Sequence, residues 1–206
     1  MIYGISGASS VGKTTLGTII STSLDIKFLR SSVSEASKKS GYNPVEKLDI
    51  SERIDLQELI LKEYITAMRQ ISQPVIIDRT PINFIAYMLA EIGMFSQETL
   101  SDENMERIWL YIERCKSLSA QHFDIIFHLG TLPYYESSTK RPPKNIAYQN
   151  HCDLLMRGVL SSLEGTLSYV NINTSNINQR VDFVIEVLTE RFNEIETFIK
   201  SDRTIH

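Results

Sequence analysis

The sequence predicts an α/β chain with three layers: a parallel sheet of about five strands, helices on both faces, and a lid. Three observations carry this. Short apolar runs alternate with stretches of helical periodicity along all 206 residues. The runs are continuously apolar, as strands buried on both faces are. A glycine-rich turn separates the first run from the first helix.

The elements follow in order. Ile2 to Ile5 are strand formers that lead to Gly7, and Thr14 to Leu24 has helical spacing. Ile26 to Leu29 is the second strand. The polar segment after it, with Gly41 and Pro44 as breakers, reads as a long connection over roughly 31–48. Ile54, Leu56, Leu59, Ile60, Ile65 and Met68 mark a helix over Ser51 to Gln70. Pro74 to Asp78 is a buried-type strand. Thr80 then supplies a cap hydroxyl, and Pro81 stands at the first helical position, where its missing N–H costs nothing.

Met105, Ile108, Trp109, Ile112 and Cys115 outline another helix with Trp109 in the core, and Phe123 to Gly130 forms a strand. A second polar segment over about 131–145 precedes a helix from Ile146 to Leu163. LSYVNIN is the last strand. Val181, Val184, Leu188, Ile195 and Phe198 make one stripe of the final helix. Both polar segments exceed ordinary connector length, and such loops are usually functional. No linker divides the chain, so 1–206 reads as one domain.

The first turn, Gly7-Ala8-Ser9-Ser10-Val11-Gly12-Lys13-Thr14-Thr15, matches G-x-x-x-x-G-K-[ST]. Strand before and helix after are the context this motif needs, and they specify a P-loop NTPase fold. Gly7 and Gly12 allow backbone angles closed to other residues, so consecutive N–H groups can line a phosphate. The following helix aims its positive end at the same anion. Lys13 is placed for the β- and γ-phosphates, and Thr14 offers a hydroxyl to Mg²⁺. ATP and Mg²⁺ are the cofactors these residues imply.

Asp78 ends a buried strand at the edge where open α/β sheets bind ligands. It can hold the Mg²⁺ water shell beside Thr14 or take a proton from an attacking hydroxyl. Arg79 is a planar fork suited to a phosphate or carboxylate. The other reading makes Asp78 a helix cap and Arg79 a surface partner. Arg30 ends the second strand at the same edge and is a candidate acceptor contact. Tyr42, Tyr64 and Tyr87 are each either a stacking surface for a base or ordinary packing.

The stretch Val75 to Leu89, with Asp78-Arg79 and then Ala86-Tyr87, resembles the Asp-Arg motif of the thymidylate kinase family and its nucleoside and nucleotide kinase relatives. It is also similar to the small P-loop kinases that include nicotinamide-riboside kinase domains. The resemblance implies transfer of the ATP γ-phosphate to a nucleoside monophosphate or a nucleoside. By it, Arg79 would meet the acceptor, and Asp78 the metal or the acceptor hydroxyl. The family's Arg-Glu-Pro-Gly loop is absent, and Arg30-Ser31-Ser32 stands in its place.

Lys140, Arg141 and Lys144 cluster where small P-loop kinases carry a lid. A mobile arginine is the usual means of stabilising charge on a γ-phosphoryl group, which makes Arg141 the first candidate. Arg157 follows on the next helix. Tyr134 and Tyr135 are candidates for stacking on adenine. The alternative is a solvated basic loop.

Rival activities are a regulatory ATPase or GTPase and a polynucleotide end kinase. No N-K-x-D element or D-x-x-G after the third strand supports the first. A net charge of −4 gives no support to nucleic-acid binding. No apolar run reaches the about 18 residues of a membrane span, and Cys115 and Cys152 read as reduced thiols. The expectation is a cytoplasmic protein acting on small molecules, with homodimer formation open. His128 in its apolar strand reads as a satisfied core histidine, and the four histidines have no metal-ligand spacing.

Replacing Arg141 with alanine is expected to lower kcat far more than affinity for ATP. Parallel turnover and binding measurements check this, and a loss confined to affinity would make the segment a binding element instead.

Overall fold

A computed structural model describes residues 1–30, 33–42, 48–93, 100–133 and 145–203. The chain runs β1 (Ile2–Gly7), α1 (Lys13–Leu24), β2 (Lys27–Leu29), α2 (Val33–Ser40), α3 (Ile50–Met68), β3 (Val75–Asp78), α4 (Pro81–Ile92), α5 (Asp102–His122), β4 (Ile125–Leu129), α6 (Ile146–Ser162), β5 (Tyr169–Ile172) and α7 (Ile177–Arg203). The five strands form one parallel sheet in the order β2-β3-β1-β4-β5.

The alternation of side chains along β1 separates the two outer layers. Tyr3 points to one face, where its ring meets Phe192 of α7 edge-on at 6.0 Å. Gly4 and Ser6 point to the other. Ser6 Oγ lies 3.7 Å from Met156 Sδ of α6, and the Gly4 backbone is crossed by Thr80 and Phe123. Helices α1 and α7 thus cover one face, with α4 and α6 on the other. Helices α3 and α5 pack outside α4. Strands β1, β3 and β4 are buried on both faces, as their unbroken apolar runs require, while edge strands β2 and β5 are partly exposed.

Local signals set several element ends. Asp49 Oδ1 accepts from Glu52 N at 2.8 Å, and Glu52 Oε2 accepts from Asp49 N at 2.9 Å, a reciprocal cap that starts α3. At α4 the pairing runs through Asn83, whose Oδ1 accepts the Thr80 N–H at 2.9 Å.

Three elements depart from the sequence expectation. Part of the polar connection is helical: α2 carries helix-forming Ala and Lys and buries Ala36 completely. Trp109 is 60% exposed and lies outside the core. The buried stripe of α5 is Ile108, Tyr111, Cys115 and Ser119, so the inward face is turned away from Trp109. On α7, Val184 and Leu188 are buried as expected, Ile195 is exposed, and Phe192 packs instead. Cys115 and Cys152 are free thiols inside the protein, and burial pushes Cys152 up to about 11. Among the described residues no helix is long and apolar enough to cross a membrane.

A Cβ on Gly4 would lie 2.4 Å from Thr80 Cγ2 and 2.8 Å from Phe123. Gly4→Ala is therefore expected to destabilise by about 1–3 kcal/mol through overpacking. Gly158 of α6 has nothing within 4 Å of the same position, so Gly158→Ala is expected to be neutral or stabilising. Thermal melts of the two variants check the contrast.

Candidate functional site

The loop after β1 opens at the carboxyl edge of the central strand. Gly7 has φ 142° and Gly12 φ 90°, both left-handed and available to glycine without strain. At Gly7 a side chain is also excluded by space, since a Cβ would stand 2.7 Å from Leu129 O. Ser10 lies between them at φ 64°. Ala8 and Val11 are buried, Ser9 and Ser10 half-buried, and Thr14 and Thr15 exposed on the first turn of α1. Lys13 is 7% exposed, and its Nζ donates to Gly7 O at 2.9 Å and Ala8 O at 2.6 Å.

Register sets what faces this loop. Strand β3 lies beside β1 with Ile5 opposite Asp78. That brings the Asp78 carboxylate to α1, where Oδ2 accepts a hydrogen bond from the Thr14 hydroxyl. Asp78 Oδ1 is buried and has no hydrogen-bond partner among the described residues. A hydroxyl, a carboxylate with a spare oxygen and an ammonium group at one helix N-terminus fit a magnesium–triphosphate complex, since hard oxygen donors suit Mg²⁺.

The next residue is strained. Arg79 has φ 70°, a conformation that costs of order 1–3 kcal/mol outside glycine. Two hydrogen bonds hold it there: Arg79 N donates to Ile5 O at 3.0 Å, and Tyr64 Oη donates to Arg79 O at 3.2 Å. The side chain turns over the ring of Tyr87, with Cζ 5.7 Å from its centroid. Tyr64 is 2% exposed and packs edge-on against Phe84 at 5.0 Å, so it supports the Arg79 backbone from the core and offers no face to a base.

A wall of side chains continues from Tyr87. Its ring lies 6.5 Å from that of Tyr148 on α6. Tyr148 Oη donates to Glu91 Oε1 at 3.4 Å, and Glu91 pairs with Arg53 of α3 at 2.5 Å. Burial raises the Glu91 carboxyl against the pull of Arg53, and burial pushes the Tyr87 hydroxyl up to about 12. Arg30 stands exposed past β2, two strands from the loop. Tyr42 packs partly buried against the core.

On the other side of β1, His128 is fully buried and its Nε2 lies 3.1 Å from Asp153 Oδ1. Its Nδ1 is buried with no partner among the described residues, and a proton on Nε2 suits the contact with the Asp153 carboxylate. The expected core histidine is thus satisfied at one nitrogen only. Arg157 Nε donates to Asp153 Oδ2 at 2.8 Å, and its Nη2 donates to Asn173 Oδ1 at 3.2 Å. Arg141, Lys140, Lys144, Tyr134 and Tyr135 lie outside the described residues. Among the described residues no three His, Cys, Asp or Glu side chains group as a metal site.

Several polar residues at the loop were not signalled by sequence: Asn83, Gln149 and Arg180 each contact its main chain. Asn83 alone left a trace, as the third helical residue after Thr80-Pro81, where capping side chains occur. Glutamine and arginine inside ordinary helical stretches carry no such mark.

The profile of the AAA domain family matches residues 3–180, a span that holds both the loop and Asp78-Arg79. The chain belongs to the AAA domain family. Its fold is that of P-loop nucleotide kinases. The deoxyadenosine kinase of M. mycoides, solved with dCMP and dCDP, is 15% identical with a TM-score of 0.64 over 92% of this chain and 99% of that one. Thymidylate kinase of Candida albicans is 16% identical, TM-score 0.67, over 93% and 92%. NadR protein in complex with NR is 18% identical, TM-score 0.64, over 90% of this chain and 50% of that one. No curated protein sequence matches. At such identities the likeness is one of fold.

Asp153 of α6 sits between His128 of β4 and Arg157, one turn further along its own helix. Burial raises its pKa, but the bonds from His128 and Arg157 outweigh that and leave it lowered. A carboxyl lowered on folding contributes stability that is complete above its unfolded pKa, about 3.9, and is lost as pH falls through the folded value. Asp153→Asn is expected to cost stability at pH 7 and progressively less below about pH 4. Urea midpoints of both proteins across that range check it.

Proposed function

We propose that this protein is an ATP-dependent phosphotransferase that moves the γ-phosphate of Mg-ATP to a nucleoside monophosphate or a nucleoside. One observation carries the reading. The Thr14 hydroxyl and the Asp78 carboxylate meet across the β1–β3 register, Asp78 keeps a buried oxygen in reserve, and Arg79 follows directly beside it. An NTPase without a second substrate has no need of a strained arginine beside its metal-binding acid, whereas a transferase must hold an acceptor there. The similar solved structures include proteins named as kinases of deoxyadenosine and thymidylate, which favours a deoxynucleoside or deoxynucleotide acceptor.

In this reading the triphosphate lies in the cradle Gly7 to Thr15. Lys13 exchanges the carbonyls of Gly7 and Ala8 for phosphate oxygens, so its charge is kept close at hand by weaker, neutral partners. Thr14 and Asp78 hold Mg²⁺, which supplies charge neutralisation to the β- and γ-phosphates when bound. Arg79, backed by Tyr87, holds the acceptor and brings its oxygen toward the γ-phosphorus. That oxygen forms the new P–O bond as the bond to the β–γ bridging oxygen breaks and ADP leaves; a nucleoside hydroxyl gives its proton to the Asp78 carboxylate, whereas an ionised phosphate oxygen has none to give. Little covalent work falls to the protein. Position and charge supply the rate. Arg141 is proposed to add charge over the transferring group. Arg53, Glu91 and Tyr148 continue the wall past Tyr87 and are proposed to border the acceptor. The proposed setting is cytoplasmic.

Lys13→Ala is expected to reduce transfer by at least about a hundredfold with an unchanged far-ultraviolet spectrum. The panel that tests the function offers Mg-ATP with nucleosides and monophosphates, deoxy forms included, and follows ADP release. Release that depends on one acceptor class supports the kinase. Release at the same rate with no acceptor present would make the protein a hydrolase.

A further inference from the structure

The phosphate loop is gripped from outside by three helices. Asn83 of α4 donates Nδ2 to Gly7 O at 2.8 Å, Gln149 of α6 donates Nε2 to Ser9 O at 2.6 Å, and Arg180 of α7 donates Nη1 to Val11 O at 2.6 Å. Their exposures are 0%, 5% and 2%. The acceptors fall on every second residue of the loop. Polar groups this deep are costly unless bonded, and apolar side chains could have filled the same space. The donors are themselves fixed. Asn83 Oδ1 takes the Thr80 N–H, which orients its amide, and Arg180 Nε donates to Thr174 O at 2.6 Å.

The consequence follows from peptide geometry. In a trans peptide the C=O of one residue and the N–H of the next point in opposite directions. A carbonyl pulled outward at Gly7, Ser9 and Val11 therefore turns the amides of Ala8, Ser10 and Gly12 inward. Gly7 and Gly12 bring the freedom to reach this shape, and the same freedom lets an untethered loop leave it.

We propose that Asn83, Gln149 and Arg180 are positioning residues for a triphosphate: by holding the carbonyls of Gly7, Ser9 and Val11 outward, they preset the loop amides to face the phosphates. The proposal rests on the reading of this loop as a nucleotide cradle. Lys13 is not one of the tethers. When its ammonium moves from Gly7 O and Ala8 O to a phosphate, Asn83 still holds Gly7 O. Dipoles already aligned need no reorganisation as the anion arrives, and affinity rises because that ordering cost is absent.

Gln149→Glu tests this with little change of shape. The new carboxylate has no donor and sets a negative oxygen against Ser9 O. At pH 8 its Kd for Mg-ATP, measured by calorimetry, is expected to rise roughly tenfold or more. The KM for ATP should rise with it, while kcat at saturating ATP and the KM for the acceptor hold. Lowering the pH toward 5 returns a donor to the protonated carboxyl, so the ratio to wild type at equal pH should shrink. Arg180→Lys, which keeps a donor, should bind Mg-ATP more tightly than Arg180→Met. Wild-type affinity in Gln149→Glu at pH 8 would overturn the proposal. So would an equal loss for ATP and acceptor, or a loss that tracks the melting temperature and ignores pH. A wild-type protein that binds no nucleoside triphosphate would instead overturn the cradle reading itself.

Discussion

A peptide plane carries its carbonyl and its amide on opposite sides, and the chemistry of this protein depends on that covalent constraint. A loop that is to receive an anion on one side must dispose of its carbonyls on the other. Here the carbonyls of Gly7, Ser9 and Val11 each meet a side-chain donor that leaves the anion's side free. Those donors come from α4, α6 and α7, so the loop is shaped by helices from both faces of the sheet. The local sequence supplies permission, through Gly7 and Gly12, and the surrounding fold supplies direction.

The parallel sheet adds a second constraint. Because Ile5 pairs with Asp78, the carboxylate arrives at Thr14 on the first turn of α1, and the chain must then leave β3 sharply. Arg79 absorbs that departure in a left-handed conformation. The strain is sustained by the Arg79 N–H, which donates to Ile5 O, and by the hydroxyl of Tyr64, which reaches up from a fully packed position beneath. A tyrosine that sequence offered as a stacking surface thus acts from the core, fixing the backbone of a neighbour.

Much of the architecture was legible because it rests on periodicity. The apolar runs Val75 to Ile77 and Ile125 to Phe127 have no stable place other than a strand covered on both faces. The helix after Thr80-Pro81 begins where capping chemistry says it should, and the one near Ser51 begins within a residue of where its apolar spacing places it. Where the reading failed, it failed on orientation. Trp109 lies on a helix that was expected, but turned outward, because α5 meets its neighbours through Ile108, Tyr111 and Cys115. Hydrophobicity alone does not say which of two adjacent apolar stripes a helix will bury. Helix α2 is hard to see in the sequence because Ala36, which it buries completely, is small and adds little to a periodic signal.

By itself, then, the sequence determined the succession of strands and helices along the chain, the glycine positions of the loop, the presence of Lys13 and Thr14 at the start of α1 and that of Asp78 and Arg79 at the end of β3, since spacing, capping and conformational freedom are local properties. Tertiary structure decided which of these meet. Thr14 and Asp78 are 64 residues apart, and Arg180 and Val11 are 169 apart. Contacts over such separations depend on strand order and on how each helix is turned, and those are set by packing the whole core at once.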